Sequence, residues 1–263
     1  MITSTSNPQV KLARKLRRRR HRQQEGLCLL EGERLLRDAW QAGVRPRTVF
    51  YRPQAREQRP ALGELLAELE AAGVPVLACA EPVFASMAET VTPQGVLAIV
   101  PIPQRPLPAT VTLALLLDRV RDPGNAGTLL RSAAAAGAEL VIFGPETVDP
   151  FNGKVLRAAM GAHFRIPLQS VPSWAELEAL LPRLGQLYLA EAQAETLYDQ
   201  VEWRRPSTLV VGGEAAGASP QARAQAIPIA IPMANGVESL NAAVAGSVIL
   251  FEAARQRRAS GAG

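Results

Sequence analysis

The sequence predicts an α/β protein in two parts, a small α/β domain followed by a larger one built on a mostly parallel sheet. Three observations carry this. Short apolar runs suited to strands alternate with stretches of helical periodicity along most of the chain, the pattern of strand–helix–strand units. Thr112 to Leu117 is a continuous apolar run, as expected of a strand buried on both faces of a parallel sheet. Between the two parts lies PIPQRPLP, residues 101–108, and four prolines in eight residues continue neither a sheet nor a helix. Residues 101–110 are therefore expected to be a semi-rigid linker.

A chain of 263 residues, 48% of them hydrophobic, has enough material for one large core or two smaller ones. It holds no apolar run of membrane-spanning length and no charged start leading into an apolar segment, so a cytoplasmic protein is expected. Cys28 and Cys79 stand alone in apolar surroundings, and the two histidines, His21 and His163, are far apart in sequence. Neither a disulfide framework nor a metal site is expected.

The net charge of +5 is unevenly spread. Lys11, Arg14, Lys15, Arg17, Arg18, Arg19, Arg20 and Arg22 precede the first acidic residue, Glu25, and leave 21 basic against 24 acidic groups, net −3, in the remainder. Such a run is often only a solvated face. Eight cations without an anion repel one another unless a polyanion neutralises them, and phosphate contacts supply affinity independent of sequence. Residues 1–24, helical from Pro8, are therefore read as a basic arm that contacts RNA.

In residues 25–100, helices are expected at Glu33–Ala42 and Leu62–Ala72, closed by Gly43 and Gly73, with a short one at Pro82–Ala88. Thr48–Tyr51, Val74–Ala78 and Val96–Val100 suit strands, and Trp40 and Phe84 suit the core. After the linker, the strand beginning at Thr112 stops at Asp118. A glycine-bearing turn then enters a helix that ends at Gly137, with Asn125 as its expected cap and Arg131 nearly two turns further on. Next come a strand at Leu140–Phe143 and a helix at Asn152–Met160. Strands at Phe164–Leu168 and Gln186–Ala190 flank a helix from Trp174 to Leu184, and a strand at Thr208–Val211 runs into GGEAAG. That turn lacks GxGxxG spacing, so a nicotinamide cofactor is not expected.

Residues 227–258 read as strand, a break at Ala234-Asn235-Gly236, and a C-terminal helix capped by Ser239. Leu240, Val244, Val248 and Phe251 recur on one face, the expected buried one, while Ala242, Ala243, Ala245 and Gly246 keep the rest thin enough for other backbone to come close. Glu238-Ser239-Leu240-Asn241 puts a carboxylate, a hydroxyl and an amide just beyond a strand's carboxyl end, where open α/β sheets bind ligands.

Three polar loops thus stand at predicted strand ends. Their residues, DRVRDPGNAGTLLRSAAAAG, VVGGEAAG and IPMANGVESLNAAVAG, resemble in order and separation the three motifs of the SpoU, or TrmH-like, family of RNA ribose 2'-O-methyltransferases in the SPOUT superfamily. ITSTSNPQVKLARKL, LEGERLLRDAWQAG and TPQGVLAIV resemble that family's accessory RNA-binding domain, an L30e-like α/β fold. The resemblance implies an RNA substrate-binding domain over 25–100 and a methyltransferase domain over 111–263 with a C-terminal trefoil knot. It implies S-adenosylmethionine as cofactor, lined by Gly212, Gly213, Ile231, Met233 and Leu240, and a homodimer. Ala215 stands where the family commonly has glycine, and Ala159 where serine is frequent.

The same resemblance implies that Arg131, Asn125, Glu214, Ser239 and Asn241 form the catalytic group. Arg131's counterpart is often taken as the base. A guanidinium is protonated near neutrality, however, and creating its neutral form costs on the order of 7 to 9 kcal/mol. The role left to Arg131 is to clamp a phosphate and stabilise the developing alkoxide, with Asn125, Ser239 and Asn241 orienting ribose, phosphate and Arg131, and Glu214 anchoring the loops or Arg131. Ribosomal RNA is the expected substrate, by analogy with members that carry an accessory domain. Transfer RNA, or a non-catalytic role in RNA binding or ribosome assembly, is the alternative.

Overall fold

The computed structural model describes residues 1–214 and 216–259, and its contacts divide the chain into two compact units. The first comprises residues 1–103 and 151–164. Its elements are α1 (Pro8–Lys15), α2 (Arg19–Glu25), β1 (Leu27–Glu31), α3 (Glu33–Gln41), β2 (Thr48–Tyr51), α4 (Pro53–Gln58), α5 (Pro60–Ala71), β3 (Val76–Ala78), α6 (Glu81–Met87) and β4 (Val96–Pro101). Asn7 caps α1 through its side chain, with Pro8 at the first helical position. No element is expected over residues 27–31 from the sequence, yet β1 is a fully buried strand.

The sheet order is β1-β4-β2-β3, with β4 antiparallel to both neighbours and β2 parallel to β3. Alternate residues of β4 feed two cores. Val96, Ala98 and Val100 meet Leu62, Leu65, Leu66 and Leu69 of α5, whose i, i+3, i+4, i+7 spacing presents a single face. Leu97 and Ile99 meet Val10, Ala13 and Leu16 of α1 and Phe84 of α6. Trp40 is only partly buried and donates its indole N–H to Glu68. Cys79 lies in the second core, and burial pushes its thiol up to about 11. Cys79 is therefore expected to react with iodoacetamide at pH 8 at least ~100-fold more slowly than a free thiol, because its thiolate fraction is that much smaller. Mass spectrometry of the alkylated, undenatured protein checks this.

The second unit begins with β5 (Leu113–Asp118), α7 (Pro123–Ala135) and β6 (Leu140–Phe143). The chain then supplies α8 (Gly153–Ala159), which lies past the proline-rich segment in sequence but packs within the first unit. Leu156 and Phe164 join the α5 core there, and Arg157 lies 3.7 Å from both Glu31 and Glu89. The second unit resumes with β7 (Leu168–Ser170), α9 (Trp174–Glu178), β8 (Gln186–Ala190), β9 (Ser207–Gly212), α10 (Pro220–Gln225), β10 (Ile227–Ile229) and α11 (Ala242–Ala259). Its strand order is β10-β8-β9-β5-β6-β7, every pair parallel.

Several local expectations are corrected. Residues 162–164 form a 3-10 turn and the strand begins only at Leu168, because Gly161 at φ +80 tightens the chain after α8. The expected helix from Trp174 to Leu184 stops at Glu178, and Pro182 sits in a separate 3-10 turn over Leu181–Arg183. The cap of α7 is Asp122, whose side chain accepts from Asn125 N at 2.7 Å, so Asn125 is inside the helix with its amide free for other partners.

The largest correction concerns α11. Its buried face is the small one, Ala243, Gly246, Ala253 and Ala254 with Ile249 and Leu250, while Val244 and Phe251 are 48% and 46% exposed and Leu240 and Val248 are each 37% exposed. A Cβ on Gly246 would collide with Leu129 of α7, and Ser132 and Ser247 are hydrogen-bonded at 2.7 Å across the same contact. The thin face lets α7 and α11 close together, leaving Val244, Val248 and Phe251 outside. No described helix is long and apolar enough to cross a membrane.

Candidate functional site

β5 and β9 are adjacent in the middle of the parallel sheet, with Asp118 opposite Gly212 in the ladder. From β5 the chain passes to β6 on one side, and from β9 it passes to β10 beyond β8 on the other. This reversal opens a crevice at the strands' carboxyl ends, the place where doubly wound sheets hold ligands.

The loops there pack too closely for side chains at two positions. A Cβ on Gly212 would stand 2.5 Å from Ala218 N, and one on Gly213 would collide with the carbonyl of Arg119. Arg119 itself turns through φ 63, and Gly217 N donates back to Gly213 O at 2.9 Å. The glycines are thus required by backbone approaching backbone.

A chain of side-chain hydrogen bonds joins the three polar loops. Asn125 Nδ2 donates to Glu214 Oε1 at 2.7 Å, and Asn125 Oδ1 accepts from Asn241 Nδ2 at 3.1 Å. Asn241 Oδ1 accepts from the backbone of Ala243 at 2.9 Å and Val244 at 3.2 Å, so Asn241, not Ser239, caps α11. The side-chain bonds of Asn125 fix its amide orientation, since its oxygen faces a donor and its nitrogen a carboxylate.

Beside this network lies a cavity of about 710 Å3. Gly212, Gly213, Glu214, Ile231, Met233, Ser239, Leu240 and Asn241 all line it. Asn125 reaches the cavity wall through its bonds to Glu214 and Asn241. Arg131 is exposed on α7 and its side chain has no hydrogen bond or ion pair among the described residues, leaving its guanidinium available to an anion. Ala215 lies outside the described residues.

Glu191 and Gln193, in the loop after β8, and Arg223 of α10 also line the cavity, and none of them is expected there from the sequence. Arg223 is paired with Glu191. Their available signal was position, because every strand of a parallel sheet sends a loop to the same edge.

In the first unit, Lys11, Arg14, Lys15, Arg17, Arg18, Arg19 and Arg20 are exposed. Arg17 lies 3.7 Å from Glu89. Arg22 differs. It is buried and donates to Leu16 O at 2.7 Å, tying α2 to the end of α1, so its guanidinium is spent on folding rather than presented to a ligand.

Comparison with known proteins gives two family matches. Residues 112–251 match the SpoU rRNA Methylase family, and residues 7–98 match the MRM3-like substrate binding domain. The chain is 38% identical to an uncharacterised tRNA/rRNA methyltransferase of Synechocystis, over 98% of this chain and 95% of that protein. It is 32% identical to the 23S rRNA (guanosine(2553)-2'-O)-methyltransferase RlmP of Bacillus subtilis, over 95% and 97%. Among solved structures, it is similar to the AdoMet-bound rRNA methyltransferase of Sinorhizobium meliloti, with TM-score 0.81 and 33% identity over 98% and 97% of the two chains. It is also similar to the SpoU methyltransferase AviRb of Streptomyces viridochromogenes in complex with AdoMet, with TM-score 0.85 and 30% identity over 96% and 98%.

Proposed function

This chain belongs to the SpoU rRNA Methylase family, and from that premise we propose that it transfers a methyl group from S-adenosylmethionine to a ribose 2'-hydroxyl of ribosomal RNA. The observation that carries the proposal is Asn125, which bonds to Glu214 and Asn241 at once and so draws the three motif loops to the rim of one cavity. At about 710 Å3 the cavity falls within the ~300–1,000 Å3 typical of small-molecule sites. Its glycine-walled edge, where a Cβ would meet backbone, suits a cofactor held mainly by main-chain groups. Gly212, Gly213, Ile231, Met233 and Leu240 would hold it.

S-adenosylmethionine bound there supplies an electrophilic methyl group for in-line displacement by a ribose oxygen. The chain's own residues then have positioning and electrostatic work to do. Arg131 clamps the phosphate beside the target ribose in a bidentate pair and stabilises the alkoxide as it forms, while the proton leaves through a phosphate oxygen or water. Asn125, Ser239 and Asn241 orient the ribose and phosphate. Glu214 holds Asn125 and, through it, the rim.

The functional division that accompanies this reading is a basic arm at 1–24, an RNA substrate-binding domain at 25–100, a linker at 101–110 and a methyltransferase domain at 111–263. The methylase match at 112–251 falls inside the last of these, and the substrate-binding match at 7–98 runs from the arm through the second. Seven exposed cations of the arm would neutralise RNA phosphates. We further propose that the C-terminal segment is tucked into the family's trefoil knot and that a second copy covers the exposed Val244, Val248 and Phe251, making the enzyme a homodimer. A cytoplasmic site of action goes with the substrate.

The test is labelled methyl transfer from S-adenosylmethionine to unmodified ribosomal and transfer RNA pools, followed by nucleoside analysis. A 2'-O-methylated nucleoside from ribosomal RNA is the expected result. Incorporation into transfer RNA alone would overturn the substrate, and cofactor binding without transfer to either pool would overturn the enzyme. Within the same assay, Gly213→Val is expected to lower cofactor affinity at least ~10-fold. A branched side chain has no room against Arg119, and the loop must shift at a cost of ~1.4–3 kcal/mol.

A further inference from the structure

The seam between the loops after β5 and β9 contains a buried group that the reaction above does not use. Asp118, the last residue of β5, is fully buried. Its Oδ2 accepts a hydrogen bond from Ser219 N at 2.6 Å, and its Oδ1 has no hydrogen-bond partner among the described residues. A carboxylate buried with one oxygen unsatisfied disfavours folding relative to an apolar residue of the same size. Packing therefore does not account for an aspartate here, whereas the contact it makes does.

Asp118 registers both ends of one loop. Its backbone pairs with Gly212, where the loop leaves β9, and its side chain holds Ser219, where the loop enters α10. Ser219 in turn caps α10, its Oγ accepting from Ala222 N at 3.2 Å. Between these two points lie Gly212, Gly213, Glu214, Gly217 and Ala218, all of which line the cavity. The loop is also pinched in the middle by Gly217 N donating to Gly213 O. Asp118 thus ties both ends of the loop to β5, and with them the cavity wall that these residues form.

We propose that Asp118 is a positioning residue for the cofactor: its carboxylate latches the 212–219 loop in the form that accepts S-adenosylmethionine. This rests on the function proposed above. The latch acts through the loop and not by touching the cofactor, since Asp118 does not line the cavity.

Calorimetric titration of S-adenosylmethionine, with RNA titrated in parallel, tests the latch on the full chain and on Asp118→Ala, Asp118→Asn, Ser219→Pro and Ser219→Ala. Asp118→Ala is expected to weaken cofactor binding about 10- to 100-fold, the loss of one charged hydrogen bond, and to leave RNA affinity within about twofold. Asp118→Asn, whose amide oxygen still accepts from Ser219 N, should stay within about threefold of the parent. Ser219→Pro removes the donor at a residue whose φ of −65 suits proline, and should match Asp118→Ala even if that variant fails to fold. Ser219→Ala keeps the amide and should bind like the parent.

Parental cofactor affinity in folded Asp118→Ala or Ser219→Pro would overturn the latch. So would an Asp118→Asn protein as impaired as Asp118→Ala, or an equal loss of RNA and cofactor affinity. If the unsubstituted chain fails to bind S-adenosylmethionine at all, the proposed function falls and the latch with it, whereas the variant results above overturn the latch alone.

Discussion

Arg131→Ala is expected to lower the rate of methyl transfer about 100- to 1,000-fold, the range seen when one donor to a developing oxyanion is removed. Arg131 is exposed on α7, its side chain has no ion pair or hydrogen bond among the described residues, and it sits outside the cavity lining. Its loss should therefore leave the Kd for S-adenosylmethionine within about twofold and act on the chemical step. Arg131→Lys should fall between the two, because an ammonium keeps the charge but lacks the planar fork that matches a phosphate bidentately. Single-turnover methyl incorporation, with cofactor affinity measured alongside, separates these outcomes. Near-parental rates in both variants would remove Arg131 from the mechanism.

The second large effect is expected on α11. Val248→Glu combined with Phe251→Glu should convert a dimer into monomers in light scattering and abolish most methyl transfer, with S-adenosylmethionine binding reduced less than activity. Neither residue lines the cavity, and both are exposed, at 37% and 46%. Burying such side chains in a second copy contributes about 1.5–3 kcal/mol each, and a carboxylate placed there reverses the sign. A parent chain that is monomeric at micromolar concentration would end the dimer proposal, and a double variant that stays dimeric would move the interface elsewhere.

Legibility of the fold varied with how local its cause was. Strands at Thr48–Tyr51, Leu140–Phe143 and Gln186–Ala190 were read with their observed bounds, because short apolar runs bounded by polar residues need no distant partner to be recognised. The helix ends at Gly43, Gly73 and Gly137 were readable for a similar reason, since each glycine adopts positive φ where the chain leaves the helix. Caps were less legible. Asp122 and Asn125 both suit an N-terminus, as do Ser239 and Asn241, and the choice is made by which side chain meets a free backbone N–H in three dimensions.

The sequence by itself determined the α/β class, the parallel character of the second sheet, the concentration of charge in residues 1–24 and the three polar loops at strand ends. All four follow from periodicity, composition or the order of residues along the chain. Only the tertiary structure decided that Asn125 joins Glu214, 89 residues away, to Asn241, 116 residues away, or that Asp118 holds Ser219 from 101 residues off. It also decided that α11 buries alanine and glycine while showing valine and phenylalanine to the outside. A helical stripe records that a face is apolar without recording what meets it. Which face turns inward depends on how closely the neighbouring backbone can approach, and Gly246 against Leu129 settles that here.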